Sequence, residues 1–255
     1  KKSFVTFLAP TGGGKTTLLC YLTGQLLKRG KNIVYISFEE DKNQILYYII
    51  QSMLGVSKDE IKNNPEKNKK QIKNILENCG VLYINDYIVD PSNIFDNKFK
   101  NFSSKALHSP YDFVEEFYNL DIDYMFVDYL GSMMNSGLFE GKTSYELGDS
   151  ASRFLKKVAK ELNIPVISAQ QLNREGIELI LKGKIEDVDI AKVSGSSAIA
   201  FWADALFVVY ANMQSKEVKI YTLKLRFHSP VSVTSKIDFE TKTFNTKSLN
   251  KMDMF

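Results

Sequence analysis

Residues 4–17, which read FVTFLAPTGGGKTT, decide the fold of this chain. The apolar run Phe4–Leu8 predicts a β-strand, and a leucine-rich helical pattern begins at Lys15, directly after three glycines. Backbone N–H groups of such a loop and the N-terminus of the following helix converge on phosphate oxygens. The stretch therefore predicts a nucleotide-binding Walker A loop, and a glycine-rich turn without nucleotide is the alternative.

Lys15 and Thr16 carry the chemistry of this loop. We expect Lys15 to reach the β- and γ-phosphates of ATP or another NTP, and the Thr16 hydroxyl to ligate Mg²⁺. Ala9 stands where the motif usually has its first glycine, and alanine does not tolerate a positive φ. The expected nucleotide contacts are Pro10, Thr11, Gly12, Gly13, Gly14, Lys15, Thr16 and Thr17.

Apolar, β-branched runs alternate with helical patterns along the chain, which predicts an α/β fold whose mainly parallel sheet is flanked by helices. Two later alternating runs, Val218–Leu225 and Val231–Phe239, predict a C-terminal antiparallel hairpin. The helix after the P-loop is predicted over Lys15–Lys28, and a capping box predicts another from Thr143. The strands are predicted at Phe4–Leu8, Ile33–Phe38, Val81–Ile84, Tyr124–Val127, Pro165–Ala169 and Leu206–Tyr210.

Composition excludes several classes of protein. With 255 residues, 44% of them hydrophobic and 25% charged, the chain matches a globular protein of one large α/β domain, not a disordered or disulfide-rich one. Its longest nearly apolar run, Ala198–Ala211, is too short for the roughly 20 residues of a membrane span. Cys20 and Cys79 lack metal-ligand spacing and predict reduced thiols in the cytoplasm. The net charge of +3 permits a polyanionic partner without identifying one.

Two strand ends deliver carboxylates to the predicted phosphate site. Asp128 ends an apolar strand, as a Walker B aspartate that holds Mg²⁺ does, although it could instead cap the next turn. Glu39 and Glu40 end another strand, and hydrolysis needs a base that polarises the attacking water. Glu39 lies nearer the strand end and is the better candidate for this base, while an acidic residue at a helix N-terminus remains an equal alternative.

Paired glutamines, Gln170 and Gln171, end a further strand. An amide there can hydrogen-bond a γ-phosphate and lose that bond after hydrolysis, but from these residues alone a polar loop residue is the favoured interpretation. The following segment, Arg174–Val193, predicts a long mobile loop whose Lys182 and Lys184 either face a phosphate backbone or belong to a solvated surface.

In order along the chain, these motifs resemble the five motifs of DnaB-type replicative helicases, and Val127–Gly131 with Asn135-Ser136 is most similar to the tailed-phage branch. The resemblance covers nearly the whole chain as one RecA-like motor domain, residues 1–255. It rests on the Walker A loop, Ile36–Glu40, Val127–Leu130, Gln171–Arg174, Ser194-Gly195 with Ala203-Asp204, and Lys224–Arg226. Because the chain begins at Lys1 directly before a strand, we expect a further N-terminal domain upstream.

The resemblance implies a homo-hexameric ring that translocates 5′ to 3′ on single-stranded DNA, hydrolyses NTP between subunits, and works with a primase and a helicase loader. By this resemblance Glu39 is the catalytic glutamate and Asp128 is the Walker B aspartate. Gln171 is the γ-phosphate sensor. Lys224 and Arg226 are the basic pair that reaches the nucleotide of the neighbouring subunit. Its DNA-binding loop falls on Lys192, Ser194 and Gly195, where the apolar residues after Gly195 depart from the bacterial pattern.

Two other functions compete with a motor. A RecA-like recombinase, or a loader whose assembly is controlled by nucleotide, would use the same core without unwinding. A small-molecule P-loop kinase is disfavoured, because its lid needs clustered arginines and this chain has Arg174 and Arg226 far apart.

Overall fold

A nine-stranded mixed sheet organises the part of the chain that the computed structural model describes, namely residues 2–86, 115, 117–139, 141, 143–193, 197–226 and 229–251. The strands are β1 (Phe4–Ala9), β2 (Ile33–Ser37), β3 (Leu82–Asp86), β4 (Tyr124–Asp128), β5 (Val166–Gln171), β6 (Ala205–Asn212), β7 (Glu217–Leu225), β8 (Ser232–Asp238) and β9 (Thr243–Lys251).

Helices cover the sheet on both faces. They are α1 (Lys15–Leu27), α2 (Lys42–Leu54), α3 (Lys58–Asn63), α4 (Pro65–Leu76), α5 (Leu130–Met134), α6 (Ser144–Glu161), α7 (Arg174–Leu181) and α8 (Ser197–Trp202), and two short 3₁₀ turns lie at Ile185–Asp187 and Ile190–Lys192. Among the described residues, no helix is both long and apolar enough to cross a membrane.

Strand order confirms the predicted architecture. The order is β3-β2-β4-β5-β1-β6-β7-β8-β9, with parallel pairing from β3 to β6 and antiparallel pairing from β6 to β9. The predicted hairpin is present as β7 and β8. Strand β9 was not predicted, because its sequence, TFNTKSLNK, lacks the apolar alternation that marks a half-buried strand.

Two apolar layers hold the helices on the sheet. On one face, Leu19 of α1 and Ile45 of α2 pack with Tyr35 in the middle of β2. On the other face, Leu155 of α6 packs with Val127 of β4. The predicted capping box of α6 is present and fixes where this helix starts, since the Thr143 hydroxyl accepts from Glu146 N and Glu146 accepts from Thr143 N.

The prediction of a loop over Arg174–Val193 is wrong. Asn173 caps α7 by accepting a hydrogen bond from Gly176 N at 3.0 Å, and the apolar side chain of Ile180 is buried beneath the helix. The helical spacing of Ile177, Ile180 and Leu181 was a signal for this helix that the loop prediction left out. Residues 57–78, which are rich in lysine and asparagine, form the mainly exposed helices α3 and α4. The polar and aromatic stretch of residues 87–108 lies outside the described residues.

Candidate nucleotide site

Glycines shape the phosphate-binding loop between β1 and α1. Gly12 and Gly14 have φ angles of 70° and 88°, which favour glycine, and a Cβ on Gly13 would lie 2.8 Å from the Pro10 ring. Gly13 N donates to Pro10 O at 3.0 Å, which closes the turn. Because Gly14 precedes α1 without a side-chain cap, the first N–H groups of the helix face this loop.

Ala9 fits the position of the missing glycine. It is the last residue of β1, fully buried and paired in register with Gln171 of β5. Extended backbone suits alanine, so the departure from the usual motif needs no positive φ here.

Lys15 lies over the loop at the start of α1. Its Nζ donates to Pro10 O at 3.2 Å and sits 5.6 Å from the centre of the Tyr129 ring. The pKa of Lys15 lies below its ordinary value because burial outweighs the nearby charges of Glu39 and Asp128, which raise it. The charges of Glu39 and Asp128 therefore act on Lys15 at the phosphate loop.

Asp128 is completely buried at the end of β4. Its Oδ2 accepts a hydrogen bond from the Tyr35 hydroxyl at 2.8 Å, while its Oδ1 has no hydrogen-bond partner in the part of the chain that the structure describes. Burial raises the pKa of Asp128 to about 6, and the hydroxyls of Tyr35 and Thr16 oppose this shift. The alternative role as a helix cap does not apply, because α5 is preceded by Tyr129 without any side-chain cap.

The environment of Asp128 fits Mg²⁺. This ion prefers oxygen ligands and keeps several of its waters, so a buried carboxylate oxygen without a partner suits it. The Thr16 hydroxyl lies near enough to affect the pKa of Asp128. Both residues proposed from the sequence as metal ligands therefore lie together beside the phosphate loop.

Glu39 and Glu40 follow β2 but face different surroundings. Glu39 is exposed, and its charge acts on Lys15 and Asp128, whereas the charge of Glu40 acts on Tyr48 and Cys20. Neither glutamate caps α2, because Asp41 accepts from the N–H groups of its first turn. Of the two glutamates, it is therefore Glu39 whose charge acts on Lys15 and Asp128.

The two glutamines of β5 also separate. Gln171 Nε2 donates to the Thr11 hydroxyl at 3.3 Å, which places it against the phosphate loop. Gln170 points into the protein, where its side chain is buried beside Gly131. Alternation along the strand therefore selects Gln171 as the amide that can meet a terminal phosphate.

The chain is similar to known proteins over most of its length. The family described as "DnaB-like helicase C terminal domain" matches residues 1–241. The chain belongs to this family. It is 30% identical over 175 residues to a probable plasmid replicative DNA helicase of Chlamydia psittaci, a match that spans 68% of this chain and 35% of that protein. It is 26% identical over 200 residues to a probable replicative DNA helicase of Trieres chinensis, over 77% of this chain and 40% of that protein. This DnaB-like chain thus spans well under half the length of these relatives.

Solved structures share the fold of this DnaB-like domain. One of them, described as an ATPase domain, superposes with a TM-score of 0.71 at 18% identity, over 95% of this chain and 84% of that one. A DnaB-like replicative helicase, studied with its interactions with primase, superposes with a TM-score of 0.70 at 18% identity, over 95% of this chain and 57% of that one. At this identity the likeness establishes the architecture.

The basic pair of this DnaB-like domain lies away from its own phosphate loop. Arg226 Nη1 contacts Asp204 Oδ1 at 3.3 Å, and Lys224 Nζ donates to Ala203 O at 2.8 Å. Asp204 N in turn donates to Phe4 O, at the start of β1. About 17 Å of strand separates that end of β1 from the P-loop end, at roughly 3.3 Å per residue.

Both basic side chains hold the C-terminal end of α8. Lys224 Nζ donates to Ala200 O as well as Ala203 O, and Arg226 Nη2 donates to Phe201 O at 2.8 Å. Positive groups there complement the negative end of the helix. In the single subunit, Arg226 thus pairs with a carboxylate and a helix end of its own chain.

The residues expected to bind DNA are only partly visible. Ser194 and Gly195 lie outside the described residues. Lys192 forms an ion pair with Glu175, which raises the pKa of its ammonium group. Lys182 and Lys184 are exposed, but residues 174–192 hold four basic and five acidic side chains, so this stretch has a net charge of −1. It is not a basic surface.

Sequence reasoning missed Tyr35. This tyrosine occupies the middle of β2, where every residue is buried, so its position looks like core packing. The hydrogen bond from its hydroxyl to Asp128 depends on the pairing of β2 with β4, which the sequence does not show.

Proposed function

We propose that this chain is the motor of a replicative DNA helicase, which couples hydrolysis of ATP or another NTP to 5′–3′ movement on single-stranded DNA and to duplex unwinding. The observation that carries the proposal is the convergence of Lys15, Glu39, Asp128 and Gln171 on one phosphate loop. Membership of the DnaB-like family supports the same activity, and so do the names of the relatives.

Each of these side chains has a distinct task in hydrolysis. Lys15 neutralises the β- and γ-phosphates, and Glu39 polarises the attacking water, since its carboxylate is exposed and its charge acts on Lys15. Thr16 and Asp128 would hold Mg²⁺, which bridges phosphate oxygens and neutralises developing charge when it is bound. Gln171, already bonded to Thr11, would exchange that bond for the γ-phosphate.

The position of Arg226 supports hydrolysis between subunits. The phosphate loop and Arg226 lie at opposite ends of β1, so one chain cannot bring its own Arg226 to its own nucleotide. A neighbouring copy in a ring can present Arg226 and Lys224 to that nucleotide, as an arginine finger does. Such a head-to-tail contact, closed by rotation, gives the proposed homo-hexamer.

Lys192 of the proposed DNA contact is joined to the chain two residues after Gln171, because its backbone carbonyl accepts a hydrogen bond from Asn173 N. Lys192, Ser194 and Gly195 would bind the phosphate backbone without reading bases. Because the relatives are much longer than this chain, the proposal extends to a further N-terminal domain and to a primase and a helicase loader as partners. We place this machinery in the cytoplasm, and its origin in the tailed-phage branch stays a prediction.

Electron microscopy combined with a helicase assay tests the proposal. The full chain, mixed with an ATP analogue and single-stranded DNA, should form closed hexamers in negative stain. With ATP it should displace a strand from a substrate with a 5′ tail and not from one with a 3′ tail. Helical filaments would favour a recombinase. Rings that neither hydrolyse ATP nor unwind would favour a loader.

A further inference from the structure

The Tyr35 hydroxyl joins two buried groups beneath the phosphate loop. It donates to Asp128 Oδ2 at 2.8 Å and lies 3.6 Å from the Cys20 Sγ, which donates to it. Tyr35, Cys20 and Asp128 are all completely buried, and they come from β2, α1 and β4. One phenol thus bridges the helix that carries Thr16 and the strand that carries the Walker B aspartate.

We propose that Tyr35 is a positioning residue for the metal: its hydroxyl holds one oxygen of Asp128 and thereby turns the other, Oδ1, toward Mg²⁺. This inference rests on the proposed function, because it takes Asp128 as the residue that holds the ion. It goes further by assigning a role to a side chain that looks like core packing.

The two oxygens of Asp128 differ in a way that supports this role. Oδ2 is bonded to Tyr35, while Oδ1 has no hydrogen-bond partner among the described residues. A carboxylate on a short side chain rotates about its terminal bond unless an oxygen is anchored, since that torsion is broad. The bond from Tyr35 supplies the anchor, and hydrogen bonds that orient metal ligands commonly change metal affinity by about 10- to 100-fold.

Tyr35 is itself held firmly enough to act as an anchor. Its ring stacks on Phe126 with centroids 6.0 Å apart and planes 10° from parallel. Its strand pairs with β4 so that Ser37 lies opposite Asp128. Because the ring and both strands are fixed by packing, the direction of the hydroxyl is set before any ion arrives.

A purely structural role is the competing interpretation, because a buried tyrosine needs a hydrogen-bond partner in any case. The two roles predict different effects of Mg²⁺ on nucleotide binding when the hydrogen bond is removed. If the bond only satisfies a buried hydroxyl, its removal changes stability and leaves the response to Mg²⁺ intact. If it orients Asp128, its removal weakens nucleotide binding only when Mg²⁺ is present.

Binding of a fluorescent ADP analogue to the full chain separates these roles. Mg²⁺ should increase the affinity of the wild type for the ADP analogue. In Tyr35→Phe, the Mg²⁺ concentration that gives half of this increase should rise by about tenfold, and the affinity for the analogue in EDTA should match that of the wild type. A parallel Mn²⁺ titration followed by electron paramagnetic resonance should show more free ion. Cys20→Ala, which removes the other bond of the phenol without touching Asp128, is the matched control and should leave the half-saturating Mg²⁺ concentration unchanged.

Asp128→Asn distinguishes failure of this inference from failure of the proposed function. If Asp128→Asn abolishes the gain from Mg²⁺ and Tyr35→Phe does not shift it, the positioning role is overturned and the metal site stands. If Asp128→Asn leaves the increase in nucleotide affinity caused by Mg²⁺ unchanged, Asp128 does not hold the metal, and the role of Tyr35 is overturned as well.

A second pair of variants guards against misfolding of Tyr35→Phe. The residues 4-aminophenylalanine and 4-methylphenylalanine, introduced at position 35, fill a similar volume, but only the first carries a donor. The amino variant should respond to Mg²⁺ like the wild type and the methyl variant should need about ten times more. Equal responses from the two would overturn the proposal.

Discussion

Leu172 and Val193 form an isolated antiparallel bridge that joins the residue after Gln171 to the residue before segment 194–196. Asn173 N reinforces the link by donating to Lys192 O at 2.8 Å. The proposed phosphate sensor and the proposed DNA-binding loop are therefore tied by backbone contacts. A shift of Gln171 on loss of the γ-phosphate would pass directly to the start of that loop.

Gln171→Ala should uncouple DNA from hydrolysis. We expect nucleotide and DNA to bind as in the wild type while stimulation of ATPase activity by single-stranded DNA falls by about tenfold, the effect of losing one hydrogen bond to a charged group. Phosphate release measured with and without DNA checks this. Gln71→Ala, an exposed amide on α4, is the control. Full stimulation in Gln171→Ala would contradict the sensor role.

Glu39→Gln should stop hydrolysis and spare binding. Because the carboxylate of Glu39 is the proposed base, turnover should fall by about 10²- to 10⁴-fold while the affinity for an ATP analogue stays within a few-fold. Glu40→Gln is the matched control, since it changes the next residue in the same way. If the loss appears in Glu40→Gln instead, the choice within the pair is wrong.

Mixed assemblies should reveal whether Arg226 acts between subunits. Arg226→Ala subunits keep Lys15, and Lys15→Ala subunits keep Arg226, so each should be inactive alone, with a loss of about 10³- to 10⁵-fold for the arginine finger. Together they should regain part of the ATPase activity, because some interfaces join an intact loop to an intact finger. Lys69→Ala, exposed on α4, should stay fully active.

Two results would remove the role of Arg226 in the neighbouring site. One is a mixture that stays inactive although co-assembly is verified. The other is normal hydrolysis on DNA by Arg226→Ala alone. Either would leave the ion pair with Asp204 as the role of this arginine.

Lys192→Ala should weaken single-stranded DNA binding more than nucleotide binding. Loss of one phosphate contact should lower the slope of log affinity against log salt by about 0.7, and fluorescence anisotropy of a labelled oligonucleotide at several salt concentrations measures it. Glu175→Gln should strengthen DNA binding, because Glu175 competes for the same ammonium group.

The salt series also separates the other proposed DNA contacts. Lys182→Ala and Lys184→Ala decide between a phosphate contact and a solvated surface at these positions. Affinity should scarcely depend on base sequence in any of these proteins, since only the backbone is bound. An unchanged affinity in Lys192→Ala would count against the assignment of this loop to DNA.

Asp128→Asn should stabilise the nucleotide-free protein at high pH. The pKa of Asp128 is raised from 3.8 to about 6 in the native state, so folding favours the protonated form. The stability that this proton provides is lost as pH rises from about 4 through 6, by up to about 3 kcal/mol for a difference of about two in pKa. Asparagine carries no charge and avoids this loss.

Urea unfolding in EDTA, followed at pH 4 and pH 8, measures the effect. The variant should be more stable than the wild type at pH 8, and the difference should nearly vanish at pH 4. A difference that is the same at both values would show that ionisation of Asp128 is not its cause.

The sequence by itself determined the α/β class, the phosphate loop and the order of the motifs, because these depend on local patterns. Residues 4–17 contain a strand, the glycines that a positive φ requires and a helix start within one short stretch. Thr143 and Glu146 likewise fixed the start of α6 through contacts three residues apart. Local hydrogen bonds and periodicity need no knowledge of distant residues.

Only the tertiary structure decided which of several similar residues face the site. Glu39 and Gln171 were distinguished from Glu40 and Gln170 by neighbours that come from other strands and helices, and Tyr35 gained its proposed role only once β2 lay beside β4. The helical spacing of Ile177, Ile180 and Leu181 in α7 was visible in the sequence, but only the structure showed that Ile180 is buried. Burial and the direction of a side chain depend on long-range packing, which a local pattern does not contain.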